Sequence, residues 1–162
     1  MQVDAILADS VVVAENKLYI QGGGWDSIFT SAVPFRQPRV GLGMVISIPW
    51  TATNEMHTFS IKIVDMDGRG IPLSDAPPGV EAPSGKAYEL RGQFNLGRPP
   101  FLGPGDSQLI PVAVNIDGLE FTQATTYSVL IEVDGTEMKR LPIRIRSTVQ
   151  MPRPATPMLP GS

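Results

Sequence analysis

Between Thr125 and Ser147 the chain reads TTYSVLIEVDGTEMKRLPIRIRS, two runs of alternating apolar residues on either side of Asp134-Gly135. Asp-Gly accepts the positive φ that the central positions of a two-residue turn require, so the stretch predicts a β-hairpin. The two-residue period of a strand puts Tyr127, Val129, Ile131 and Val133 on one face of the first arm. Leu141, Ile143 and Ile145 share a face of the second arm, and Arg140, Arg144 and Arg146 take the opposite one. A lone ribbon with one apolar face is marginal in water, so these residues need a second layer over them.

The rest of the chain offers that layer. Residues 3–8 and 11–21 read as strands, the second interrupted by a turn at Glu15-Asn16-Lys17. In 39–49 Leu42, Met44, Ile46 and Ile48 alternate, while Gly41 and Gly43 on the other face predict a bulge or a close backbone approach. Residues 57–66 form a strand that turns at Asp67-Gly68 and returns through Ile71 and Leu73. Pro-rich 72–85 reads as an exposed loop, and 86–96 as a strand with Tyr88, Leu90 and Phe94 inward. The segment 97–105 holds three prolines, which remove donors and fix φ, so it predicts an irregular crossover between sheets. A strand over 107–116 then ends at a turn, Asp117-Gly118.

No window sustains a 3.6-residue apolar period. Seven to nine short strands punctuated by turns predict an all-β fold, an antiparallel immunoglobulin-like β-sandwich over 1–147. Tyr127, just inside the penultimate strand, stands where such sandwiches carry a tyrosine corner. Residues 148–162 read as an extended Pro-rich tail.

The chain's 162 residues suit one domain with a real core. Glycine and proline, 16 each, fall short of the ~25–30% of low-complexity sequence and suit many tight turns. The absence of cysteine removes disulfides, thiolate metal sites and a thiol nucleophile. Acids in MQVDAILADS stand where a signal peptide carries basic residues, and the longest apolar run, Val40–Trp50, is too short to span a bilayer. The expected location is therefore the cytoplasm, or a virion for a phage-encoded chain. A net charge of −3 gives no ground for nucleic-acid or membrane binding. Charge is unevenly placed, however: from Met138 onward Lys139, Arg140, Arg144, Arg146 and Arg153 face no acid. That pattern is either a solvated strand face with basic gatekeepers or a docking stripe for an acidic partner.

Taken in order, VDAILAD…KLYIQGGGW, IPW at 48–50, GRPP at 97–100 and YSVLIEVDG resemble a family of uncharacterised bacterial and phage-encoded proteins. The resemblance covers roughly residues 2–146. It implies an immunoglobulin-like sandwich with no assigned activity, and transfers no functional residues.

Few constellations carry chemistry. Gly22-Gly23-Gly24 lacks the Lys-Ser/Thr and helix of a phosphate loop, so it reads as a strand-to-loop break. Asp65-Met66-Asp67-Gly68 resembles a calcium-loop fragment, but Ile63 stands where an acid is needed and no Glu follows, so a hairpin turn is expected. A sandwich-edge calcium site from Asp65, Asp67 and Asp106 is the alternative. His57, the only histidine, leaves one base and no second imidazole ligand, and reads as an exposed strand-end residue. Glu120, Glu132 and Glu137 are dispersed around the last hairpins, which disfavours a hydrolase.

The expectation is a non-enzymatic structural or interaction module without a cofactor, docking on a larger protein assembly or self-associating, in one version as a virion accessory or capsid decoration protein. The partner-binding candidates are Trp25, Trp50, Arg98, Arg144, Arg146, Arg153, Pro154 and Pro157. The alternative is a carbohydrate-binding sandwich that stacks sugars on Trp25 and Trp50.

Overall fold

A computed structural model of the chain describes residues 1–78 and 82–148. Among the described residues twelve strands follow in order: β1 (Gln2–Ala8), β2 (Ser10–Ala14), β3 (Lys17–Gln21), β4 (Ser27–Thr30), β5 (Phe35–Pro49) and β6 (His57–Val64), then β7 (Ser74–Asp75), β8 (Lys86–Ala87), β9 (Leu90–Phe94), β10 (Ser107–Phe121), β11 (Thr126–Val133) and β12 (Thr136–Ser147). Eight of them make the two layers of a sandwich, one ordered β1-β5-β10 and the other β4-β12-β11-β6-β9. The expected all-β sandwich and strand number hold. Pairing is antiparallel except where β4 lies parallel to β12, with Ile28 opposite Ile145. Among the described residues there is no α-helix, only two 3₁₀ turns at Trp50–Ala52 and Pro83–Gly85.

The alternation in the last hairpin becomes its burial. Tyr127, Val129, Ile131 and Val133 of β11 are buried, with Ile143 and Ile145 of β12 and Ile61 and Ile63 of β6 beside them. Leu42, Met44, Ile46 and Ile48 of β5 and Ile116, Leu119 and Phe121 of β10 belong to the same cluster. Burial of such a side chain stabilises the fold by about 1.5–3 kcal/mol. Asp134 and Gly135 take φ of 49° and 76°, as the hairpin turn requires. The Tyr127 corner is also present: its hydroxyl accepts a hydrogen bond from Gln123 N at 3.2 Å.

The β2–β3 ribbon turns at Glu15-Asn16, both at positive φ, and folds onto the outer face of the three-stranded sheet. Asn115 of β10 clamps it, accepting from Val11 N at 3.0 Å and donating to Val11 O at 2.8 Å. Gly41 and Gly43 lie beneath it: a Cβ on Gly41 would stand 3.1 Å from Ala8 O and Ser10 Cα, and one on Gly43 3.2 Å from Leu18. The close approach read from the glycines is this packing.

Two strand expectations are corrected. Asp117-Gly118 is not a turn, because β10 runs on to Phe121 with Leu119 opposite Gln37. Gly118, at φ 69°, takes up an irregularity opposite Pro38, which has no N–H to donate, and the ladder resumes beyond it. Tyr88 is exposed rather than inward, because 86–96 is split into the short β8 and β9 and Tyr88 falls between them. Leu90 and Phe94 do pack against the core. Within the Pro-rich loop β7 forms a small ladder with β8, just beyond its end.

Candidate functional site

At one end of the sandwich a set of polar side chains surrounds the crossover. β5 ends there, β6 and β10 begin there, and the β11–β12 turn closes over it. After β5 the chain makes the 3₁₀ turn Trp50–Ala52, then reverses at Asn54, whose φ is 64°. Buried Thr53 donates to Trp50 O at 2.7 Å and accepts from Arg98 Nε at 2.8 Å. Arg98 also donates to Trp50 O at 3.0 Å, and its guanidinium carbon lies 3.7 Å from the Trp50 ring centroid. A planar cation over an indole is favourable, and the two hydrogen bonds fix its angle. Asn54 completes the clasp: its Oδ1 accepts from Arg98 N at 3.1 Å, and its N–H donates to Leu96 O at 2.7 Å.

The clasp holds the crossover by its first residues, and Asp106 holds the last. Asp106 Oδ2 accepts from Gly103 N at 2.8 Å, and Asp106 O accepts from Trp50 N at 2.9 Å. Between the anchors Leu102 N donates to Pro99 O at 3.0 Å, making a β-turn with Pro100 at its second position, where fixed φ suits the turn. Phe101, third in that turn, is 85% exposed. A large apolar side chain is thus held out in water by a loop anchored at both ends.

His57 lies against the 3₁₀ turn Trp50–Ala52 and corrects the sequence expectation. It is 5% exposed, not an exposed strand end. Nδ1 is 2.7 Å from Asp134 Oδ2, Nε2 is 2.8 Å from Ala52 O, and the Phe94 ring lies 5.3 Å away. Both ring nitrogens face acceptors, an arrangement that only imidazolium satisfies completely. The Ala52 carbonyl, together with Asp134, raises the imidazole pKa against the opposing effect of burial. Asp134 is held low by the Thr58 N–H and then by His57. In a serine-type triad Nε2 takes the nucleophile's proton; here the Ala52 carbonyl occupies it. The pair holds main chain in place.

The other predicted partner residues are scattered. Trp25 packs half-buried against the core, next to Gly24, whose N–H donates to Leu7 O, so it does not join Trp50 at the end of β5. Its buried Nε1 has no hydrogen-bond partner among the described residues. One face of the Trp50 ring is already taken by Arg98. Arg144 bonds Asp26, whose carboxyl is lowered first by the Ser27 hydroxyl and further by Arg144 and Arg146. Arg140 makes two 2.9 Å bonds to Glu137, so the basic stripe is partly neutralised from within, while Arg146 is exposed. Arg153, Pro154 and Pro157, and the tail from 149 onward, lie outside the described residues.

Asp65 proves to be a turn residue, its Oδ1 accepting from Asp67 N and Arg69 N, both at 2.9 Å. Among the described residues no group of three His, Asp or Glu is placed to hold a metal. Sequence reading missed a polar groove of about 580 Å³ on the outer face of the five-stranded sheet. There Lys62 bonds Glu132 at 2.9 Å and lies 3.5 Å from Glu89. It missed Phe101 too, although the prolines around it were the available signal.

A family described as of unknown function (DUF6941) matches residues 3–146. No curated protein and no solved structure matches the chain.

Proposed function

The chain belongs to the DUF6941 family of unknown function, and we propose that it is a non-enzymatic interaction module that docks on a larger protein assembly by seating Phe101 in an apolar recess of its partner. The observation that carries this reading is the 85% exposure of Phe101 on a turn anchored at both ends. A phenyl ring withdrawn from water on binding contributes most where its conformation is already fixed, because little ordering entropy remains to be lost. The prolines and the Arg98 clasp supply that fixity. Aromatic anchors of this kind carry most of the energy of many interfaces. Service as a virion accessory or capsid decoration protein is one concrete form of the role.

The test is a photo-crosslinking amino acid placed at Phe101 and, as a control, at Phe29, which is 55% exposed on β4. Irradiated in the cells that make it, the protein should give a discrete adduct from position 101 and none from 29. No adduct at 101, or the same adducts at both positions, sinks the reading.

A further inference from the structure

We propose that His57 is a proton-operated latch that stiffens the Phe101 loop while its imidazole is protonated and releases it when that proton is lost. The inference rests on reading Phe101 as the docking residue. It starts from the geometry of a buried imidazole with an acceptor on each side: Asp134 Oδ2 at 2.7 Å and Ala52 O at 2.8 Å. Imidazolium donates to both. Neutral imidazole carries one N–H, and the carboxylate is the stronger acceptor, so Nδ1 keeps the proton. Nε2 then turns a lone pair on the Ala52 carbonyl, and an attraction becomes a repulsion beside a buried ring.

Ala52 is the last residue of the turn that begins at Trp50. Displacing that turn moves Trp50 O, the acceptor of Arg98 and Thr53, and with it the base of the crossover. Bonds to main chain thus connect the imidazole to Phe101. The charged groups around His57 are Asp134 on the β11–β12 turn and Glu55 on the preceding loop, both acidic, while β9 contributes only the Phe94 ring. Arg98 is the cation on the turn, and it is held by Trp50 and Thr53. The Ala52 carbonyl and both acids favour the protonated ring against the opposing effect of burial, so the latch opens above histidine's ordinary 6.5.

The test is an NMR titration of the full chain without a partner, so its outcome is independent of the crosslinking result. His57 is the only histidine, and its ring signals are identified by that alone. The amides of Arg98, Phe101 and Leu102 should shift with the same midpoint as the His57 ring protons. Glu55→Gln, which removes one acid and no hydrogen bond to the ring, should move both midpoints down together by about a few tenths of a pH unit. Ring titration with static loop amides, or a loop midpoint that ignores Glu55→Gln, overturns the latch and leaves the docking reading standing. His57→Gln should abolish the loop titration; a loop that still titrates in that variant also overturns it.

Discussion

The hydroxyl of Tyr127 reaches back four residues to the main chain of Gln123, accepting its N–H at 3.2 Å, while its ring meets the edge of Phe121 at 4.9 Å. The loop from β10 to β11 is thereby fastened from inside the core. Tyr127→Phe keeps the ring contact and removes the hydroxyl, leaving Gln123 N without that acceptor. Chemical denaturation should show a loss of about 1 kcal/mol with the strand signal in circular dichroism unchanged.

Stability should fall on the alkaline side. His57 has a folded-state pKa above its ordinary 6.5, so its stabilisation is complete below 6.5 and is lost as pH rises through the folded value. Asp134 is displaced the other way, below 3.8, so its contribution is present above 3.8 and lost only as pH falls through that lower value. Urea midpoints should therefore decline as the pH is raised from 6.5 in the native chain, and His57→Gln should flatten that limb.

Gly41→Val should lift the β2–β3 ribbon. The new side chain meets main-chain atoms of Ala8 and Ser10 rather than the end of a mobile side chain, so the neighbours cannot simply swing aside. A loss of about 1–3 kcal/mol is expected, with faster protease cleavage in 10–21 than elsewhere.

Arg98→Ala should separate loop order from global order. It removes the guanidinium from Trp50 and two donors, which costs about 1–2 kcal/mol. Amide exchange in 99–105 should quicken more than exchange in β11. Phe101→Ala, by contrast, should change stability by less than about 0.5 kcal/mol, since the ring lies in water.

The layers were legible in the sequence because alternation is a local signal with a global consequence. Leu42 to Ile48 and Tyr127 to Val133 show their buried face from spacing alone. Gly41 and Gly43 also announced that something would lie on them, though not that it would be the ribbon next to β1. His57 was misread because its burial depends on Asp134, 77 residues away, and a lone polar residue at a strand entry carries no trace of such a partner. The parallel docking of β4 on β12 is hidden for the same reason. Asp117-Gly118 carried a genuine turn signal, but the strand pairing beyond it outweighed local preference. Phe101 was passed over because a Pro-rich crossover has no period from which to judge its side chains.

The clamp of Asn115 on Val11 joins residues 104 apart in the chain, and β1 and β10 both find their register on β5 between them. A nascent chain emerging N-terminal end first therefore exposes one long apolar edge of β5 until β10 has been synthesised. Closure of that sheet waits on pairings far apart in the chain, such as Phe35 with Phe121, which places folding among the slower, non-local topologies, in the millisecond-to-second range. The β11–β12 hairpin, the most local pairing in the core, is synthesised after the other core strands and forms fastest. The order of synthesis and the order of easy pairing run in opposite directions.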